Sequence, residues 1–176
     1  MRDRFPPVRD LLAVYAVVAA FVYGWTIVIL FYKLPSFLLF VTPGELLTMV
    51  AYVLASALLE SLAVMVLLAL AAFILPARFF RNVFIVRAVW LAMIGYGSVI
   101  LFLILNANFE TTFGMRTNTW SIVTVVAALL AAWIAPRLKP MRAVAEWASD
   151  RFQVFLFLLI PLSLISLIVV IVRNLV

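Results

Sequence analysis

Apolar positions along the chain gather into five blocks, about 11–32, 45–75, 88–105, 120–135 and 153–172, and the charges collect between them. Most blocks approach or exceed the ~20 residues that an α-helix needs to cross the ~30 Å hydrocarbon core of a bilayer. The pattern predicts five membrane-spanning helices. The first block is too long for a signal-peptide core and has no A-x-A-like cleavage site, so it is expected to stay as a span. No internal repeat, low-complexity tract or long linker interrupts the series. Residues 1–176 therefore read as a single transmembrane domain, an all-α integral membrane protein built as one five-helix bundle.

The second block carries two further signals. It opens on "TPGE", with Thr42 as N-cap, Pro43 at the first helical position and Glu45 three residues after the cap, the pattern of a capping box. No Gly or Pro follows Gly44 until Pro76, which predicts a helix about 48 Å long that must tilt or protrude from the bilayer. Within it Thr48, Tyr52, Ser56 and Glu60 follow one another at i+4 and put a carboxyl inside the hydrocarbon region. This stripe is the candidate intramembrane polar site. It is expected to face the bundle interior, with Tyr96 and Ser98 of the third block or Ser163 and Ser166 of the fifth as partners. Pro161 frees a backbone carbonyl one turn earlier as another possible acceptor. A carboxyl so placed either locks helix register as a neutral, hydrogen-bonded group, or handles a proton or cation, or anchors the Lys or Arg of a partner.

Composition fixes the class: 69% of residues are apolar and 11% charged, with a mean hydropathy of +1.29, outside the range of soluble domains. Its 13 Lys+Arg against 7 Asp+Glu do not point to nucleic acid here, because the positives follow the spans. Their number alternates through the N-terminus, the four connections and the C-terminus as three, one, three, one, four, one. Under the positive-inside rule this predicts a cytoplasmic N-terminus and an outside C-terminus. The localisation expected is multi-pass, in a bacterial cytoplasmic (inner) membrane.

The chain has no Cys and no His, which excludes thiolate chemistry, disulfides, Cys/His metal sites and histidine-based acid–base catalysis. No H-E-x-x-H, nucleophile elbow or pair of intramembrane aspartates is present. No catalytic, cofactor or metal site is expected.

Helix packing is predicted from small residues, since close backbone approach replaces the hydrophobic drive that lipid removes. Ala16, Ala20 and Gly24 recur at i+4 in the first block, and Ala88, Ala92 and Gly95 mark one face of the third. Trp25, Trp90, Trp120, Trp133 and Trp147 read as an interfacial aromatic belt. The basic stretch "PRLKPMRAVAEWASDR" breaks at Pro136 and Pro140 and then predicts a short interfacial helix near 140–150. Met141, Val144 and Trp147 would lie on its membrane side, and its positives would favour anionic headgroups on the cytoplasmic side. The connection "NANFETTFGMRTNT" is the most polar in the chain, and Asn106, Asn108, Glu110 and Arg116 are its candidate contacts on the outside.

Five spans in this orientation, with "NANFETTFG" after the third, resemble the membrane anchor of lipoteichoic-acid-synthase-like phosphotransferases. The resemblance is one of topology and covers no catalytic residue. It implies at most a membrane anchor partner for a lipid-linked phosphotransferase. Few polar groups, small-residue faces and little soluble mass point first to a non-catalytic subunit, assembly factor or scaffold of a larger membrane complex, in contact with lipid and other membrane subunits. The alternative is a small transporter, or a proton- or cation-handling component, that uses Glu60.

Overall fold

The computed structural model describes residues 6–75, 83–106 and 113–175. Five helices follow in order: α1 (Val8–Phe40), α2 (Pro43–Ile74), α3 (Phe84–Asn106), α4 (Phe113–Ile134) and α5 (Lys139–Leu175), with a 3-10 turn at Ala135–Arg137 before the last. The described residues are 96% helical and contain no strand. All five helices are long and apolar enough to cross a membrane.

Local chemistry accounts for several helix ends. The capping box at the start of α2 is formed: the Thr42 hydroxyl accepts from Glu45 N–H at 3.4 Å, and the Glu45 carboxylate accepts from Thr42 N–H at 2.9 Å. From Pro43 the helix runs unbroken for 32 residues, about 48 Å at 1.5 Å per residue. α1 reaches Phe40, past the expected end near residue 32, because Pro35 sits close to its C-terminal end, where losing one backbone bond disturbs few turns.

α5 differs more from expectation. The helix near 140–150 is not separate: Lys139 to Leu175 form one helix of 37 residues, with Pro140 in the first turn, where no N–H is required. Ala145, Ala148 and Ser149 are buried against the bundle, while Val144 and Trp147 are exposed.

The core is organised around α1. Every residue from Ala13 to Ala19 is buried, and burial on all faces requires neighbours on several sides. Those neighbours are α2, α3 and α5; α4 packs chiefly on α3. Hydroxyl bridges tie the hub to its flanks. Tyr15 meets Ser61 of α2 at 3.2 Å, and Tyr23 meets Ser163 of α5 at 2.7 Å. At the same end as Pro7, the indole N–H of Trp90 donates to the Met141 carbonyl at 3.1 Å, joining α3 to α5.

Ala16, Ala88 and Ala92 lie in this core, and Ala20 is half-buried. Gly24 is exposed, and a Cβ built on Gly24 or on Gly95 would meet nothing within 4 Å. These two glycines therefore border open crevices rather than tight helix crossings. Arg9, Arg87, Arg137, Lys139, Arg142 and Arg151 fall at the Pro7 end of the helices, whereas Lys33 and Arg173 fall toward the Thr42 end.

Candidate functional site

Thr48, Tyr52, Ser56 and Glu60 do not form one inward face. Each i+4 step on an α-helix advances about 400°, a net drift of ~40°, so three steps rotate the stripe by ~120° around α2. The buried face of α2 is made instead by Ala51, Leu54, Ala55, Ala57, Leu58 and Ser61. Tyr52, Ser56 and Glu60 are exposed and Thr48 is half-buried. The expected inward orientation is thus corrected. Packing rotates the apolar face of alanines and leucines toward α1, and the polar row lies beside it.

The drift sends the two ends of the stripe to different places. Thr48 and Tyr52 line a crevice with Arg173 of α5 and the end of α1. Ser56 turns its hydroxyl back to the Val53 carbonyl at 2.9 Å. Glu60 faces α3, where the Tyr96 hydroxyl donates to its Oε1 at 3.4 Å, a long bond. Among the described residues no hydrogen bond joins Glu60 to α5. Ser163 is taken by Tyr23, and Ser166 bonds back to the Leu162 carbonyl at 2.9 Å. Of the partners expected from the sequence, Tyr96 is the one that meets Glu60.

Glu60 stands about 26 Å along α2, close to the middle of the helix at 1.5 Å per residue. One and two turns farther on, Val64 and Leu68 continue its row into a crevice of about 400 Å³ between α2 and the α3–α4 pair. Its α3–α4 side carries a few polar groups among apolar ones. Ser98 and Thr124 share a short hydroxyl–hydroxyl bond. The Trp120 indole N–H donates to the Ser98 hydroxyl at 2.8 Å, and its ring leans on Phe102 with centroids 5.6 Å apart. Phenol, hydroxyls and an indole therefore line this largely apolar crevice, and the Glu60 carboxyl stands beside it through its bond to Tyr96.

No local pattern brings Ser98 of α3 together with Thr124 and Trp120 of α4, and Trp120, expected in the interfacial belt, stands about two turns into α4. The bond from Arg173 to the Thr48 hydroxyl likewise joins residues 125 positions apart, which no local pattern connects. Asn108 and Glu110 lie outside the described residues. Asn106 closes α3 and Arg116 lies in the first turn of α4.

Among the described residues no three acidic side chains stand together as a metal site would need. The arrangement can bind by hydrogen bonding and charge midway along α2, where the Glu60 carboxyl and the Tyr96 phenol meet. No family model, curated protein or solved structure matches the chain.

Proposed function

We propose that the chain is a non-catalytic subunit or scaffold of a larger membrane complex. Its α2–α3–α4 crevice docks a helix of another membrane protein that brings a Lys or Arg to Glu60. The observation that carries this reading is the exposed carboxyl of Glu60 halfway along a membrane-length helix. Hydrocarbon offers such a group neither counter-ion nor donor, and a charged side chain at the centre of a span costs about 3 kcal/mol on insertion scales. A partner's cation would offset that cost and occupy the polar ring formed by Tyr96, Ser98, Thr124 and Trp120. With the basic ends of the helices in the cytoplasm, the N-terminus lies inside and the C-terminus outside.

The experiment is purification of the full chain in mild detergent beside Glu60→Leu. The wild type should carry a constant set of membrane polypeptides, and the variant should lose them. The variant should keep its helical circular dichroism and elute as a monodisperse peak. If the wild type purifies alone, and its reconstituted form carries a proton or cation flux that Glu60→Gln abolishes, the transporter reading replaces this one.

A further inference from the structure

The opposite end of the polar stripe forms a second lateral crevice, of about 580 Å³, where α1 ends, α2 begins and α5 ends. Its volume falls in the ~300–1,000 Å³ range of small-molecule sites. The walls are hydrocarbon: Leu30 and Phe37 from α1, Met49 and Val53 from α2. The rim is polar, with Arg173, Thr48, Tyr52 and Glu45.

Each rim group has a defined state. Thr48 donates its hydroxyl to the Gly44 carbonyl at 2.9 Å, which leaves its oxygen to accept from Arg173 Nη1. This contact fixes the guanidinium across the mouth of the crevice and uses one of its five N–H donors. The Glu45 carboxylate is committed to Thr42, through both the backbone N–H and the hydroxyl, and it also feels the charge of Arg173, so it competes with an anion for that cation. Tyr52 is 40% exposed, and its hydroxyl makes no hydrogen bond among the described residues.

From this geometry we infer that the crevice holds the phosphate headgroup of an anionic lipid against Arg173, with an acyl chain lying between α1 and α2. Three features select a lipid over a free anion. The walls below the cation, Leu30, Met49 and Val53, are apolar; the crevice opens on the side of the bundle; and the guanidinium stands where α2 begins and α5 ends, with the Tyr52 phenol one turn past Thr48. A planar guanidinium with donors to spare suits phosphate better than a point charge does. This site lies at the end of the bundle opposite the basic cluster, and it is independent of the Glu60 crevice.

Native mass spectrometry of the full chain released from detergent tests the inference, with phosphatidylglycerol and phosphatidylcholine of identical acyl chains supplied in equal amounts. The wild type should retain phosphatidylglycerol over phosphatidylcholine by about fivefold, the ratio that corresponds to ~1 kcal/mol for one arginine beside an anionic headgroup. Arg173→Gln should bring the ratio near one, and Arg173→Lys should give a value between that and the wild type, since it keeps the charge and loses the planar donor fork. Glu45→Gln, which preserves the capping pattern while removing a negative charge from the rim, should raise the ratio. Equal retention of the two lipids by the wild type, or a preference that survives Arg173→Gln, would overturn the inference. So would displacement of bound phosphatidylglycerol by millimolar inorganic phosphate, since that would assign the crevice to a free anion. If Arg173→Gln does not fold, the Glu45→Gln series decides, and an unchanged ratio there overturns the proposal.

Discussion

Removing one oxygen from the hub helix gives a sharp test of how the bundle is held. Tyr23 and Ser163 are 2% and 0% exposed, and their hydroxyls meet at 2.7 Å between α1 and α5. Interhelical hydrogen bonds in membrane proteins average about 0.6 kcal/mol in double-mutant cycles and reach about 1.7 at most. A short bond with both ends fully packed belongs in the upper half of that range. The ability of a helical serine to turn back to its own i−4 carbonyl limits the loss. Together these place the coupling at about 1 kcal/mol. Tyr23→Phe and Ser163→Ala should each destabilise the protein by about that amount, and the double variant by little more than either one. The assay is reversible unfolding in mixed micelles with rising dodecyl sulfate, followed by tryptophan fluorescence for all four chains. Additive effects, with a coupling under ~0.3 kcal/mol, would refute the reasoning. The Tyr15–Ser61 pair provides an internal comparison: its bond is longer, at 3.2 Å, and Ser61 already donates to the Leu58 carbonyl at 2.9 Å. Its coupling should be the smaller of the two.

Other consequences follow from the same structure. Thr42→Ala removes the side-chain half of the α2 cap and should cost about 1 kcal/mol in the same unfolding assay, with Thr42→Ser close to wild type; equal losses for both variants would mean the cap does not anchor the helix. Glu60→Leu should leave the isolated chain as stable as the wild type or more so, because it removes a polar group from hydrocarbon at the expense of one 3.4 Å bond; a loss above ~1 kcal/mol would place Glu60 inside the bundle. A C-terminal alkaline phosphatase fusion should be active and a cytoplasmic reporter at the same position dark, and the reverse pattern would contradict the orientation drawn from the basic ends of the helices.

Five spans were legible in the sequence because the apolar blocks are long and the breaks between them are charged. The start of α2 was legible to the residue, since a capping box depends only on side chains three positions apart. The facing of α2 was not. When lipid and protein interior are equally apolar, hydrophobicity no longer distinguishes the two sides of a helix. The helix is apolar around most of its circumference, and the i+4 stripe drifts too far to define one side. Ser61, one residue past Glu60 and about 100° around the helix, is buried, and Glu60 is exposed with Tyr52 and Ser56. The fused α5 has a different cause. Pro140 marks a helix start, but nothing between Met141 and the fifth apolar block breaks a helix, so the change from polar to apolar residues marked no boundary in the backbone. The Ser98–Thr124–Trp120 cluster depends on which spans are neighbours, information that no local pattern carries.

The docking of a cationic partner helix beside Glu60 is tested most directly by photocrosslinking in the native membrane. A photoreactive amino acid is placed at Val99 or Val125, both exposed and lining the crevice, and at Val154 on α5 as a control. Val99 and Val125 should each give a single protein adduct and Val154 none. The captured chain should carry a Lys or Arg inside a predicted span, Glu60→Lys should abolish the adduct, and reversing the partner's charge should restore it. Adducts to lipid alone, equal capture from Val154, or a captured chain with no intramembrane cation would contradict the claim.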